Sequence, residues 1–276
     1  PERAVRRAVV AAAGHPEVHA ALGVMADLVA TLLIHGGAGH MSYDRFTSRF
    51  QAGARFVAQR GLLKPLVWRL VTVRVEGAEH LDQLEGGYVI VANHSSHLDA
   101  PLVFGALPRK AARYLAAGAA ADYFFEVPWR KGLTTLFFNA FAVERNAEGK
   151  RASQSQRLLD AGVPILLFPE GGRARAGEFR PYKPGPFALA LGAGCPVVPL
   201  ALVGASSAMP RGVNWPLRGR LPVTVVIGEP MHGLPDEKPR DFSDRVAARV
   251  RELHESIAPV PPMPPRPAVA QDEPPA

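Results

Sequence analysis

The chain opens on apolar stretches that are interrupted at helical intervals. Between His15 and His35 the positions His19, Gly23, Asp27, Thr31 and His35 recur every fourth residue in an otherwise apolar run. That spacing predicts a helix with one narrow polar stripe. The run is only about as long as a bilayer crossing requires, and Asp27 falls mid-way, where a charge costs on the order of 3 kcal/mol. A helix packed on a partner or embedded in one leaflet is therefore expected over a spanning one. A second helix follows, with Tyr43, Phe46, Phe50 and Val57 at three-, four- and seven-residue spacings and Arg45, Arg49, Arg55 and Arg60 elsewhere around it. Such a basic amphipathic helix either packs on the core or docks on an anionic lipid surface, where each Arg contributes about 1 kcal/mol.

From Trp68 the period changes to two. Val71, Val73 and Val75 alternate with Thr72 and Arg74, as in a half-buried strand. Tyr88–Ala92, Ile165–Phe168, Val197–Val203 and Val223–Ile227 are continuous apolar runs, the pattern of strands buried on both faces. Helical patterns lie between them, at 100–107 and 150–162, and a polar helix is expected at 242–257. Strands alternating with helices predict an α/β domain with a largely parallel central sheet flanked by helices. From Pro259 to Ala276, eight of 18 residues are proline. Such a tail cannot bury a core and is expected to be disordered. The pattern thus divides the chain into an N-terminal helical segment (1–64), for which membrane association is one expectation, an α/β domain (65–258) and a proline-rich tail (259–276).

Composition narrows this picture. The 276 residues are 47% hydrophobic and 21% charged, which excludes disorder throughout. A lone cysteine, Cys195, excludes an intrachain disulfide framework and a four-cysteine zinc site. Between Gly194 and Pro196 it has the setting of a small buried residue, not of a nucleophile. The net charge of +7 is distributed in blocks: residues 1–75 carry +6, 76–108 carry −5, 109–151 carry +4, 152–220 carry +5 and 221–276 carry −3. Most of the cations are arginine, whose planar fork suits phosphate. No zinc-finger, helix-turn-helix or RNP-like signature accompanies the charge, so phosphorylated substrates and membrane surfaces are expected ahead of nucleic acid.

The chemistry-bearing residues follow the buried strands. After the first comes Asn93-His94-Ser95-Ser96-His97-Leu98-Asp99. Five residues apart on a helix, His94 and Asp99 would face about 140° away from each other. They meet only if a turn intervenes, and Ser95 and Ser96 favour one while Pro101 suits a first helical turn. A neutral His held by a carboxylate is a competent general base. No serine nucleophile elbow accompanies it, since 204–208 lacks the final glycine, so the base would activate a substrate hydroxyl. A blander reading has Asp99 capping a helix and His94 ending a strand. After a later strand comes Phe168-Pro169-Glu170-Gly171-Gly172-Arg173, in which exposed backbone N–H groups and a fixed cation could cradle a phosphate or carboxylate. Between them, Phe141–Arg145 is a strand-like run ending in a cation.

In this order these pieces resemble the glycerolipid acyltransferase family typified by lysophosphatidic acid acyltransferase. Its motifs run N-H-x-x-x-x-D, G-x-x-F-I-x-R, F-P-E-G-T-R-S and V-P-x-x-P. Here they match Asn93–Asp99, Phe141–Arg145, Phe168–Arg173 and Pro196–Pro199, and Lys183-Pro184-Gly185 is similar to a following K-x-G. The resemblance covers Leu66 to Ile227. It implies acyl transfer from acyl-CoA or acyl-carrier protein, with no cofactor, to the hydroxyl of a lysophospholipid such as lysophosphatidic acid, or to glycerol-3-phosphate or another lysolipid. It implies that His94 is the base, that Asp99 orients it, and that Arg145, Gly171, Gly172 and Arg173 hold the acceptor phosphate. Glu170 would order the acceptor or anchor the loop, and the protein would sit on the cytoplasmic face of a membrane. The chain departs from the motifs at Gly172 and Ala174, where the family has Thr and Ser, and at Asn139, where it has Gly. A lysine of the family has no match in Ala116–Phe125. Arg175 is one cation that could make up the lost hydroxyls. Two other classes compete: a metallohydrolase using His94, His97 and Asp99, and a non-catalytic membrane-binding module.

Overall fold

The computed structural model describes residues 44–120, 137–143, 152–213 and 215–257. The helix expected at 15–35, Tyr43, Arg145 and the proline-rich tail lie outside the described residues. Among the described residues seven strands form one sheet: β1 (Thr72–Glu76), β2 (Val89–Ala92), β3 (Ala116–Ala120), β4 (Phe141–Val143), β5 (Ile165–Leu167), β6 (Val197–Val203) and β7 (Pro222–Ile227). Their spatial order is β1-β7-β6-β2-β5-β3-β4. Five run parallel, from β6 through β4, while β7 is antiparallel to β6 and β1 is parallel to β7. β1 is an edge strand, which is why its sequence alternates while β2, β5 and β6 are apolar throughout.

Alternation along the strands sorts their side chains onto two faces. Ile90, Leu166, Val198, Leu200 and Val225 face one side. They pack there on α3 (Lys64–Leu70), α4 (Asp99–Ala106) and α5 (Arg109–Tyr114) through residues such as Val67, Leu102, Phe104 and Ala112. Val89, Val91, Ile165, Val197 and Ala201 face the other side. They meet α6 (Ala152–Asp160), α7 (Gly185–Ala193) and, after the short α8 (Ala205–Ala208), α9 (Pro239–Glu255) through Leu158, Phe187, Phe242, Val246 and Val250. The result is a three-layer α/β/α body with an apolar core on each face of the sheet, in which each fully buried aliphatic side chain contributes about 2 kcal/mol. Cys195 lies at the amino end of β6, and burial pushes its thiol up to about 11.

One short strand and two helices escape the hydrophobic pattern. β3 is Ala-Ala-Gly-Ala-Ala, a sequence with no strand signature of its own, and it is strand because β5 and β4 pair with it. Among the helices, α5 and α7 have no amphipathic periodicity that sets them off from the apolar runs beside them.

Part of the amphipathic helix before the domain packs on the core. It comprises α1 (Asp44–Thr47), α2 (Arg49–Ala58) and a π-helical turn at Gln59–Leu63. Phe46 is not a surface anchor but is 1% exposed, in the core cluster that also holds Phe141. Arg45 and Arg55 point inward: Arg45 Nη2 donates to Ala140 O at 2.6 Å and Arg55 Nη1 to Arg45 O at 3.1 Å. Burial lowers both guanidinium pKa values to about 10, so both remain charged at neutral pH. Arg60 donates to Gly105 O and Leu107 O, and Gln59 Nε2 to Phe137 O. These side chains satisfy loop and helix-end carbonyls that the sheet leaves unpaired. Phe50 (84% exposed) and Val57 (69%), seven apart, remain on the outward face.

Candidate active site

β2 and β5 are parallel neighbours, with Val91 opposite Leu167, so the loops that follow them leave the same end of the sheet side by side. This brings together two motifs 70 residues apart in the chain. Asn93 fixes the exit of β2: its side-chain Nδ2 donates to Leu202 O at 3.0 Å, and Leu202 N donates to its Oδ1 at 2.7 Å. The amide thus acts as one more rung between β2 and β6. Ser96 Oγ donates to Met209 O at 2.8 Å and pins the turn from the far side.

Within that turn, Asp99 is fully buried and its Oδ2 collects three donors. Ser95 N lies at 2.7 Å, Ser96 N at 2.8 Å and His94 Nδ1 at 2.7 Å. An oxygen that accepts three N–H groups is a carboxylate oxygen, so Nδ1 of His94 carries a proton, and in the neutral imidazole the lone pair is then on Nε2. Asp99 is the first residue of α4, but its carboxylate caps the turn before the helix rather than the helix itself. The backbone wraps a small anion hole around the carboxylate, and the same oxygen orients the imidazole. The His94 ring stacks on Phe168, with centroids 4.3 Å apart and planes at 25°, and 24% of its side chain is exposed. Among the described residues, Nε2 has no hydrogen-bond partner.

The second motif grips the first through the main chain. His94 N donates to Glu170 Oε1 at 3.0 Å, and Ala174 N donates to His94 O at 2.7 Å. Glu170 is 2% exposed, and burial pushes its carboxyl up to about 7, against the pull of the His94 and Arg180 backbone N–H groups. Gly171 stands at φ +68°, a conformation that favours glycine. A Cβ there would also meet Lys183 Cε at 2.9 Å and Nζ at 3.1 Å. Arg173 lies close enough to His97 that its charge, second to burial, holds the His97 pKa down, and Arg211 Nη1 donates to Arg173 O at 3.4 Å.

The structure therefore brings together His94, Asp99, Glu170, Gly171, Gly172 and Arg173. Arg145 lies outside the described residues. Sequence reasoning missed Arg180 and Arg211 near this turn, and Lys183 entered only through a motif; a lone Arg or Lys in a loop carries no periodic or spacing signal. His97 is exposed, and among the described residues no group of three or more His, Cys, Asp or Glu is placed to hold a metal ion. Two open grooves, of about 420 and 690 Å³, lie at the opposite end of the sheet, beside Cys195 and Tyr88.

A family model described as Acyltransferase matches residues 72–203, the stretch from β1 through β6 that carries both motifs. That stretch is similar to the acyltransferase family. Curated proteins show the same similarity. The chain is 24% identical over 217 residues to a chloroplastic 1-acyl-sn-glycerol-3-phosphate acyltransferase of Brassica napus, covering 76% of this chain and 59% of that protein. It is 33% identical over 173 residues to a 1-acyl-sn-glycerol-3-phosphate acyltransferase of Chlamydomonas reinhardtii, covering 61% of this chain and 48% of that protein. The chain thus spans roughly half to three-fifths of the length of these relatives. The fold of this chain is also similar to that of a solved structure, the 1-acyl-sn-glycerophosphate (LPA) acyltransferase PlsC of Thermotoga maritima. The TM-score is 0.60 at 24% identity, over 78% of this chain and 85% of that one.

Proposed function

We infer that this chain is an O-acyltransferase that moves a fatty acyl group from acyl-CoA or acyl-carrier protein to the hydroxyl of a lysophospholipid such as lysophosphatidic acid. The observation that carries this reading is the His94–Asp99 pair at the carboxyl end of a central strand, beside a glycine turn ringed by cations. The relatives are named for the same acceptor class. His94 Nε2 takes the proton of the acceptor hydroxyl as its oxygen attacks the thioester carbonyl, forming the C–O bond. Collapse of the tetrahedral intermediate breaks the C–S bond, and the thiolate leaves with the proton that His94 returns. Asp99 keeps Nδ1 protonated and stabilises the imidazolium that forms in between, a contribution of typically 10²–10⁴-fold. Arg173 and the backbone of Gly171 and Gly172 receive the acceptor phosphate, with Arg145 as a further ligand. Of the two roles implied for Glu170, its burial and its bond to His94 N support the anchor. No cofactor takes part.

Phe50 and Val57 on the outward face of α2 suit contact with the lipid surface that supplies the acceptor. No helix among the described residues is long and apolar enough to cross a membrane. Association with the cytoplasmic face through residues 1–64 belongs to the same proposal. The deciding experiment is acyl-CoA transfer across a panel of lysolipids, with glycerol-3-phosphate included, for the wild type and His94→Ala. Transfer to a phosphate-bearing acceptor, lost in His94→Ala while the fold is retained, is expected. Near-normal turnover in the variant refutes the mechanism, and stoichiometric zinc with chelator-sensitive hydrolysis would move the chain to another class.

A further inference from the structure

Glycine at position 172 is not required by the backbone. Unlike Gly171, Gly172 does not adopt a positive φ, so an ordinary residue fits its conformation. What a side chain at 172 would meet is Arg180: a Cβ built there lies 2.9 Å from Arg180 Nη1, and no other heavy atom outside its chain neighbours comes within 4 Å. The guanidinium therefore fills the volume that a threonine hydroxyl would use, and Arg175 does not reach it. The backbone N–H of Arg180 faces the buried Glu170 carboxyl, whose Oε1 accepts from His94 N. Lys183 lies against Gly171 in the same way, and Lys183 N donates to Pro169 O at 2.9 Å. Arg173, Arg180, Lys183 and Arg211 thus surround one turn, and among the described residues none of them is ion-paired with a carboxylate. Unpaired cations converging on backbone N–H groups form a site for an oxyanion with several acceptor oxygens.

We propose that Arg180 is a headgroup-binding residue that replaces the hydroxyl donor missing at position 172, its guanidinium reaching the acceptor phosphate through the gap that Gly172 leaves open. The inference rests on the acyltransferase reading above but concerns residues outside the motifs that support it. An arginine fork offers two parallel donors and a charge where a threonine offers one neutral donor, so the exchange favours a doubly charged phosphate monoester over a neutral or zwitterionic headgroup.

The test uses the full chain as wild type, Arg180→Ala, Arg180→Lys, Gly172→Thr and the double variant Gly172→Thr/Arg180→Ala. Steady-state transfer gives KM for lysophosphatidic acid and for acyl-CoA, and ³¹P NMR titration gives the lysophosphatidic acid Kd. Arg180→Ala should raise both acceptor constants about tenfold and leave the acyl-CoA KM in place, as expected for loss of one charge-assisted contact. Arg180→Lys should recover part of that loss. Gly172→Thr, which needs only a flexible side-chain tip to move, should fold normally yet mimic Arg180→Ala, and the double variant should lose less than the two singles combined. An unchanged acceptor KM in Arg180→Ala, an effect confined to acyl-CoA, or strict additivity of the two changes overturns the proposal. If the wild type binds lysophosphatidic acid more tightly than Arg180→Ala but transfers nothing, the activity fails and the site stands. If the wild type transfers acyl groups with an acceptor KM that Arg180→Ala shares, the site fails and the activity stands. A wild type that neither binds nor transfers overturns both.

Discussion

Asp99→Asn separates the two jobs that one buried carboxylate oxygen performs. Oδ2 receives Ser95 N, Ser96 N and His94 Nδ1 within 2.7–2.8 Å, and Oδ1 is buried without a partner. Asparagine can place its carbonyl oxygen on the Oδ2 side and keep all three donors. Each bond then falls from charge-assisted, about 2 kcal/mol, to neutral, about 1 kcal/mol. The sum is about 3 kcal/mol, reduced because a neutral amide costs less to bury than a carboxylate, so urea unfolding should show a net loss of about 1–3 kcal/mol. The chemical loss should be larger. Without the negative charge the imidazolium formed during proton transfer loses its partner, and a fall in kcat of about 10³-fold corresponds to about 4 kcal/mol. His94→Ala removes one bond and one ring stack at a partly exposed position, so it should match the loss of activity with a smaller loss of stability. Acyl transfer at saturating lysophosphatidic acid, measured beside urea unfolding, gives both numbers from the same preparations. If Asp99→Asn loses stability but keeps kcat within a few-fold of wild type, the carboxylate braces a turn and does nothing more, and the general-base argument collapses.

Two further expectations concern pH and lipid. Burial raises the Glu170 carboxyl from about 4.5 to about 7, so the fold favours its protonated form. That contribution is fully present below pH 4.5 and is lost as pH rises through 7; Glu170→Gln should therefore gain about 3 kcal/mol relative to wild type between pH 4.5 and pH 8, in paired unfolding curves. Parallel curves would mean that Glu170 is ionised throughout. On α2, Phe50→Asp/Val57→Asp should leave the melting temperature nearly unchanged, because both side chains are exposed, and weaken sedimentation with anionic liposomes severalfold. Undiminished liposome binding would assign the lipid contact to another part of the chain.

The sequence by itself determined the layers and the chemistry. Strands buried on both faces must be apolar at every position, so β2, β5 and β6 stood out, and their continuous runs implied helices on both sides of the sheet. The spacing of His94 and Asp99 required a turn, and the serines supplied one. What the sequence could not determine depends on partners distant in the chain. β3 is a strand only because β5 and β4 offer it hydrogen bonds. Arg45, Arg55 and Phe46 carry the pattern of a lipid-facing helix, yet tertiary packing turns them inward to meet carbonyls and core. Gly172 shows the same limit at the site. In the sequence it marks a lost hydroxyl, whereas in the fold it opens the space that Arg180, eight residues further on, fills. Periodicity reports which face of an element is apolar; only the assembled sheet decides what that face, or a gap left by a glycine, will touch.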